Sequence, residues 1–412
     1  MNAADTAWML VSTALVLSMT PTLAFFYGGL VRSKNALNTM MMSYISLGFV
    51  GLTWVFVGYS LAFAPGSDYL GGLSWMFLKD VGPAPNPPST IPHYLFVAYQ
   101  GTFAIVTAAL ISGAIVERMR FSAYVAFITL WSIFIYAPMA HWVWGGGWLA
   151  KMGALDFAGG TVVHINAAVA AFVAAVLVGK RKDFRTQALV PHNVPFTLLG
   201  AGLLWLGWFG FNAGSALAAN GSAALALITT MFAPAGTLVV WTILDAVRVG
   251  KPTAVGCATA IVVGLVAVTP AAGFIGPMSA VALGAIAAVP SYFALIIRAK
   301  SNLDDSLDVV AAHGVGGTVG ALLTGVFANN AVSGLNDFNG VAANGLLFGN
   351  AGQLGIQAGA VLAAIVFSLI GSFILLKVVS FVFPLRASEE DERDGMDLSM
   401  HGEEAYVHSA GA

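Results

Sequence analysis

Long, uninterrupted apolar runs restrict the fold of this chain more than any other feature. Many of them reach about 20 residues, the length of helix that crosses a hydrocarbon core of roughly 30 Å. Inside a bilayer the backbone must satisfy its own hydrogen bonds, which leaves helices or a closed β-barrel. Barrel strands alternate over about 10 residues, whereas these runs are longer and do not alternate. Because 58% of the residues are hydrophobic and only 9% charged, we predict an all-α polytopic membrane protein.

Eleven runs are long and apolar enough to be membrane spans. Their predicted limits are 7–31, 38–63, 95–116, 121–141, 161–179, 194–213, 222–247, 254–274, 277–298, 310–328 and 356–384. The first five residues contain no Lys or Arg, so the first run is interpreted as a membrane helix rather than a signal peptide. Two long loops, about 64–94 and 329–355, are both rich in Gly, and the first is also rich in Pro and aromatic residues. Residues 1–385 are therefore predicted to form the membrane domain, and 386–412 an acidic tail.

The distribution of basic residues predicts the orientation of the chain. Fourteen of the 17 lysines and arginines follow an odd-numbered span: Arg32, Lys34, Arg118, Arg120, Lys180, Arg181, Lys182, Arg185, Arg248, Lys251, Arg298, Lys300, Arg386 and Arg393. The opposite junctions hold only Lys79 and Lys151. Since cytoplasmic loops are enriched in Lys and Arg, the N-terminus is predicted to be outside and the C-terminus cytoplasmic.

Two Asp–His pairs suggest an internal inverted repeat. Asp156 lies eight residues before His164 at the start of the fifth span, and Asp305 lies eight residues before His313 at the start of the tenth. These spans run in opposite directions, and eight helical residues cover about 12 Å. Both histidines are therefore expected near mid-membrane, reached from opposite faces. Spans 1–5 and 6–10 would form the repeat, whose interface near the midplane is where such folds place a substrate.

The two histidines are the first candidates for chemistry. Ionisable residues at membrane depth are rare and usually line a pathway or a polar cavity. A neutral pair, each ring with one donor and one acceptor, would suit a small polar molecule better than a bare cation. The alternative is that each histidine is separately packed between helices. A metal site is less favoured, because no third ligand occurs at a suitable spacing, and no cofactor is predicted.

Asp156 has two interpretations, and so do the aromatic residues near the outer surface. The Asp156 carboxylate could cap the free amides of a helix start or could bind a cation directly, and the cap is preferred. Asp305 and Asp308 are interpreted likewise, as structural groups at the inner end of the tenth span. Trp144 could belong to the interfacial aromatic belt or could form a cation–π site for a small ammonium-type ion.

Several motifs together resemble the ammonium transporter family, and its bacterial branch rather than its Rhesus branch. They are Phe-Phe-Tyr-Gly-Gly-Leu-Val-Arg-Ser-Lys-Asn (25–35), Tyr-Gln-Gly-Thr-Phe-Ala (99–104), His-Trp-Val-Trp-Gly-Gly-Gly (141–147), Ala-Leu-Asp-Phe-Ala-Gly-Gly-Thr-Val-Val-His-Ile-Asn (154–166), Trp-Phe-Gly-Phe-Asn-Ala-Gly-Ser (208–215), Val-Thr-Pro-Ala-Ala-Gly (268–273), Asp-Val-Val-Ala-Ala-His-Gly-Val-Gly-Gly (308–317) and His-Gly-Glu-Glu-Ala-Tyr (401–406). The similarity covers nearly the whole chain.

The resemblance implies a trimer with one pore in each subunit, in a bacterial cytoplasmic membrane. It assigns an outer ammonium site to Phe103, Trp144 and Ser215, a gate to Phe103 and Phe211, and pore positions to His164, His313, Trp208 and Thr269, with Asp156 and Asp305 as supporting residues. It also implies that the tail transmits the docking of a PII-type signalling protein. Residues beyond Tyr406 extend past the usual end of the family.

The expected function is ammonium transport rather than catalysis: recruitment of ammonium, its deprotonation, and conduction of ammonia into the cytoplasm. The sequence leaves open whether the proton also crosses. An ammonium sensor with slow conduction is the alternative, although the short tail holds no output domain. A cation/proton antiporter would need a buried carboxylate pair at the midplane, and the predicted spans show none.

Overall fold

The computed structural model describes residues 1–86, 88–187, 189–334 and 344–406. Ten helices in this part of the chain are long and apolar enough to cross a membrane: Ala3–Leu30, Ser33–Phe63, His93–Ala114, Phe121–Met152, Gly160–Val178, Val194–Ala213, Gly221–Val249, Pro277–Lys300, Val310–Phe327 and Gly352–Ser380. A shorter apolar helix, Ala254–Val268, lies between the seventh and the next of these. The all-helical polytopic fold predicted from the sequence is thereby confirmed.

The eighth predicted span ends earlier than the sequence indicates. The prediction is 254–274, but the helix ends at Val268. Pro270 lacks a backbone N–H, so the chain continues instead as tight turns in which Ala271 bonds to Val268 and Phe274 bonds to Ala271. The carbonyl released at Pro270 accepts the amide of Phe157, at 3.1 Å, from the loop before the fifth span. Apolar composition alone could not reveal this helix end.

The predicted repeat has a local structural counterpart. His164 and His313 each lie in a six-residue π-helical segment, Gly160–Ile165 and Val310–Val315, and each segment continues into an α-helix. π-Helical turns within α-helices are rare and often occur at functional sites. The two segments meet through their histidines, whose ring centroids are 5.3 Å apart.

The loops predicted to be cytoplasmic meet in one buried ionic cluster. Glu117 pairs with Arg32 at 2.5 Å and with Arg181 at 3.3 Å, and Arg181 also pairs with Asp304 at 2.8 Å. Burial alone would raise the pKa of Asp304, but hydrogen bonds from Arg181 and the charges of Arg118 and Arg181 lower it overall. Four inner junctions, after the first, third, fifth and ninth spans, are thus held together on one face of the bundle.

The tail packs against the same face. Its helices Glu389–Asp394 and Met396–His401 lie under the start of the second span, where the buried Asp397 carboxylate accepts the amides of Leu37 and Asn38 at 3.0 and 2.8 Å. The last six residues of the predicted tail, 407–412, lie outside the described residues, as do 335–343 of the predicted outer loop 329–355.

Candidate functional site

A cavity of about 600 Å³, here called the outer cavity, opens on the face where the loops predicted to be outside lie, and Trp144 lines its wall. Trp144 follows directly after the helix Ala137–Val143, and its indole Nε1 donates to the Asp156 carbonyl at 2.9 Å. Its ring meets that of Phe103 edge to face, with centroids 5.9 Å apart. Trp144 therefore lines a cavity, which is the setting that a cation–π site requires.

Ser215 immediately precedes Ala216, a residue in the wall of this cavity. The Ser215 hydroxyl donates to the Phe211 carbonyl at 2.8 Å, and the Tyr99 hydroxyl lies 3.3 Å from it. Since the single proton of Ser215 is engaged with the carbonyl, its oxygen lone pairs are the part able to serve an incoming N–H donor. This geometry fits an acceptor role.

Phe103 and Phe211 separate the outer cavity from the interior. Their ring centroids are 4.2 Å apart at an interplanar angle of 30°, and each side chain is only 1% exposed. Phe103 contacts Trp144 on one side, while Phe211 lies 6.1 Å from the His164 ring on the other. The stacked pair thus closes the passage in this conformation.

A very small cavity of about 20 Å³ lies below the two phenylalanines. Its size allows about one water-sized molecule. The residues around it are apolar except for two histidines: Met19, Leu23, Phe26, Val106, Leu110, Val163, His164, Leu204, Trp208, Phe211, Val262 and His313. Such a cavity has no set of oxygen ligands that could replace the hydration shell of a cation.

The two histidines belong to one hydrogen-bonded chain. Nδ1 of His313 is 3.2 Å from Nδ1 of His164, and Nε2 of His164 is 3.3 Å from the Thr269 hydroxyl. That hydroxyl also accepts Trp208 Nε1 at 2.9 Å and donates to the Leu265 carbonyl at 2.8 Å.

One arrangement of protons satisfies every bond in this chain. With the Thr269 proton given to the Leu265 carbonyl, Nε2 of His164 carries its own proton and donates to the Thr269 oxygen. Nδ1 of His164 is then an acceptor, and Nδ1–H of His313 donates to it. Nε2 of His313 then carries no proton and can accept a hydrogen bond from the N–H group of a passing solute.

Asp156 and Asp305 occupy equivalent capping positions before the two histidine segments. The Asp156 carboxylate is 1% exposed and accepts the amides of Gly159, Gly160 and Thr161 at 2.8, 2.6 and 2.7 Å, together with the Thr161 hydroxyl. The Asp305 carboxylate accepts only two amides, at 3.1 and 2.8 Å. Both carboxylates therefore hold helix starts, as the preferred interpretation expected for these two residues.

The loop at Asp156 also depends on Gly159. Its φ of +123° lies in a region that other residues rarely adopt, and a Cβ there would stand 2.6 Å from Val163 and 3.4 Å from Trp144. One short turn thus links the outer site to His164, whose amide donates to the Gly159 carbonyl at 3.1 Å.

Asp308 is interpreted from the sequence, with Asp305, as a structural group at the inner end of the tenth span, and its carboxylate bonds to a side chain there. Its carboxylate forms an ion pair of 2.5 Å with Arg298, and its backbone has a φ of +62°. It lines an inner cavity of about 300 Å³ that shares Phe26, Val262 and His313 with the small cavity above. Outer, middle and inner cavities therefore follow one another across the bundle.

The comparisons with known proteins decide the family. The family model described as Ammonium Transporter Family matches residues 7–406. The chain belongs to the ammonium transporter family. The resemblance stated from the sequence is thereby confirmed, and because the family consists of transporters, the chain is not an enzyme.

Relatives and solved structures cover almost the whole of this family member. It is 47% identical to an "Ammonium transporter" of Bacillus subtilis (strain 168), covering 99% of this chain and 100% of that protein. It is 50% identical to an "Ammonium transporter" of Aquifex aeolicus (strain VF5), over 98% and 94%. The crystal structure of Saccharomyces cerevisiae Mep2 has a TM-score of 0.88 at 35% identity, covering 94% and 88%.

Most of the apolar residues lining the small cavity of this ammonium transporter family member were missed by the sequence interpretation. Val106, Leu110, Val163, Leu204 and Val262 are of the same types that face lipid elsewhere. Within apolar runs, only polar and aromatic side chains can be singled out from sequence. The apolar residues that line the cavity between them cannot be distinguished from residues that face lipid.

Proposed function

We propose that this protein conducts ammonium nitrogen across the bacterial cytoplasmic membrane as neutral ammonia. Ammonium is recruited in the outer cavity by the π face of Trp144 and by Phe103, while the Ser215 hydroxyl accepts one of its hydrogens. It loses a proton near the Phe103–Phe211 gate. Ammonia then passes His164 and His313 and is protonated again in the inner cavity.

The observation that supports this proposal most is the small, almost entirely apolar cavity between gate and histidines. An unpaired cation transferred into such surroundings loses its hydration without compensation, at a cost of many kcal/mol. Ammonia loses far less and can exchange hydrogen bonds with the two imidazoles. Potassium resembles ammonium in charge and size, but it has no proton to give up and is therefore excluded.

The histidine chain also offers a route for the released proton. It runs from Thr269 through His164 to His313, which borders both the small and the inner cavity. If the proton follows this route, transport carries current. The double variant His164→Ala/His313→Ala tests the route in liposomes on a sensor that records ammonium-evoked currents. An undiminished current would remove the histidines from the proton path.

Methylammonium uptake into proteoliposomes tests transport itself. We expect uptake that ammonium inhibits and that potassium at the same concentration does not. Trp144→Leu should raise the apparent KM, because it removes the π face at the cavity. The control is Trp142→Leu, since Trp142 is another outer tryptophan but packs 4.5 Å from Phe367 of the last span. Equal KM values for both variants would contradict the assignment of Trp144.

The assembly, location and partners belong to the same proposal. The protein forms a homotrimer, as the resemblance to the family implies. Its N-terminus is outside, which the concentration of basic residues at one set of junctions supports. Residues 1–385 form the conducting domain, and 386–412 form the cytoplasmic tail on which a PII-type protein docks. The tail's contacts with Leu37 and Asn38 give such docking a connection to the second span.

An ammonium sensor remains the second candidate, because one solved structure is titled "Sensor Amt Protein". It matches with a TM-score of 0.88 at 30% identity, over 97% of this chain and 98% of that one. The uptake assay separates the two functions. A sensor would bind ammonium, measured by calorimetry in detergent, while proteoliposomes took up methylammonium no faster than empty ones.

A further inference from the structure

The outer cavity is much larger than ammonium needs, and its upper wall is unusually aromatic. We propose that this wall binds quaternary ammonium cations such as tetramethylammonium, which block the entrance but are not transported. The residues concerned are Tyr59, Trp75, His93 and Phe96, here called the upper aromatic cluster. All four line the same cavity as Trp144. The expected block of transport rests on the proposed function, whereas binding of the cation to the cavity does not.

Trp75 is the central ring of the upper aromatic cluster. Tyr59 stacks on one of its faces, with centroids 5.6 Å apart and an interplanar angle of 15°. His93 meets it edge to face at 4.8 Å, and its Nε2 is 2.5 Å from the Tyr59 hydroxyl. Tyr59 and His93 are buried, while Trp75 is half-buried. Because Trp75 lines the cavity and is only half-buried, part of its ring is accessible to a ligand there.

Further half-buried rings complete an aromatic surround. Phe96 and Phe63 meet edge to face at 5.0 Å, and both line the cavity together with Trp144. Quaternary ammonium groups are characteristically recognised by several aromatic faces, because the ring quadrupoles attract a diffuse positive charge. A cation with four methyl groups also buries apolar surface against these rings, which ammonium cannot do.

One carboxylate supplies negative charge next to this wall. Asp5 accepts the Thr90 hydroxyl at 2.6 Å and the Ala219 amide at 2.8 Å, and Thr90 lines the cavity. Within the described residues the hydrogen-bond partners of Asp5 are these neutral groups, and no ion pair is formed there. Its charge is therefore available to attract a cation into the cavity, an effect that added salt would weaken.

Passage further inward is prevented by size. Below the outer cavity stand the Phe103 and Phe211 rings, 4.2 Å apart, and then a space of only about 20 Å³. A tetraalkylammonium ion has no proton to release, so it cannot enter as a neutral amine either. The expected result is a ligand that occupies the entrance and goes no further.

Tetramethylammonium chloride is the probe for the test. Binding is measured by calorimetry on the detergent-solubilised full chain, and block by methylammonium uptake into proteoliposomes at constant ionic strength. We expect binding, competitive inhibition, and no uptake of radiolabelled tetramethylammonium. Trp75→Leu should weaken binding and inhibition about tenfold while methylammonium uptake continues, and Trp75→Phe should recover part of the loss.

The matched control is Phe77→Leu, an outer aromatic residue that is 67% exposed and packs on Phe56 at 5.7 Å. It should leave tetramethylammonium binding unchanged, and thermal melting establishes that all variants are folded. Absent binding to the wild type, or equal binding to Trp75→Leu, would overturn the inference even if methylammonium uptake is normal. Lack of methylammonium uptake with intact tetramethylammonium binding would instead count against the proposed transport function.

Discussion

Replacing Asp156 by Asn tests the link between the buried turn, the outer site and the pore histidine. Each Asp156 oxygen accepts at least two hydrogen bonds: Oδ1 from the amides of Gly159 and Gly160, and Oδ2 from the amides of Thr161 and Val162 and the Thr161 hydroxyl. An Asn side chain keeps one acceptor oxygen and places an NH₂ group at the other position. The Thr161 hydroxyl can rotate to accept a hydrogen bond from this NH₂ group, but a backbone amide N–H can only donate and loses its acceptor there.

Two buried backbone donors therefore lose their acceptor in either orientation of the Asn side chain. A buried unsatisfied donor costs about 1 to 3 kcal/mol, so Asp156→Asn should destabilise the protein by about 2 to 6 kcal/mol. Asp305→Asn is the matched variant, since each Asp305 oxygen accepts one amide. It should cost about 1 to 3 kcal/mol by the same reasoning.

Transport should fall further in Asp156→Asn than in Asp305→Asn. The Asp156 carbonyl holds Trp144 Nε1, and the Gly159 carbonyl holds the amide of His164, so relaxation of the turn displaces both groups. We expect at least about a tenfold loss of methylammonium uptake, the usual consequence of misplacing binding groups by around 1 Å. Thermal melting in detergent and uptake in proteoliposomes measure the two effects. Equal melting of Asp156→Asn and wild type would refute the hydrogen-bond account.

Three further predictions follow from the contacts of single residues. Thr269→Val removes the acceptor for Nε2 of His164 and should slow methylammonium uptake about tenfold, while Thr269→Ser should retain it. Gly284→Ala places a Cβ against a carbonyl of the seventh span and should lower stability by about 1 to 3 kcal/mol on thermal melting, unlike Gly202→Ala, where the Cβ meets open space. Burial lowers the pKa of His401 against the opposing carboxylate charges nearby, so tail docking should be stable above pH 6.5 and weaken as the pH falls below it. Limited proteolysis of the tail at one pH above 6.5 and one below it would detect the change, and equal cleavage at the two would contradict the prediction.

The polar residues within apolar spans could be identified from sequence because they are rare. The equal Asp–His spacings at 156–164 and 305–313 predicted two helix starts and two facing histidines, and the structure places the rings 5.3 Å apart. The ends of the spans are harder to predict from sequence. The helix predicted over 254–274 ends at Val268, because Pro270 has no backbone N–H to donate and its carbonyl accepts the amide of Phe157 from a loop distant in sequence.

The lining of the passage could not be predicted for a different physical reason. Leu204 and Val262 border the small cavity, while residues of the same types on other faces contact the surroundings. Which face turns inward is decided by packing between helices distant in sequence. The same limitation applies to Asp308, whose ion pair joins the segment before the tenth span to Arg298 near the end of the ninth.

A flux measurement with rubidium, an analogue of potassium, tests most directly whether charge is removed before the constriction. Proteoliposomes are loaded to give equal inward gradients of radiolabelled rubidium and methylammonium, and both uptakes are followed in the same preparation. If the solute passes the histidines uncharged, methylammonium should enter while rubidium flux stays at the level of protein-free liposomes. Rubidium uptake at a rate comparable with methylammonium would show that intact cations cross, and the proposed mechanism would be wrong.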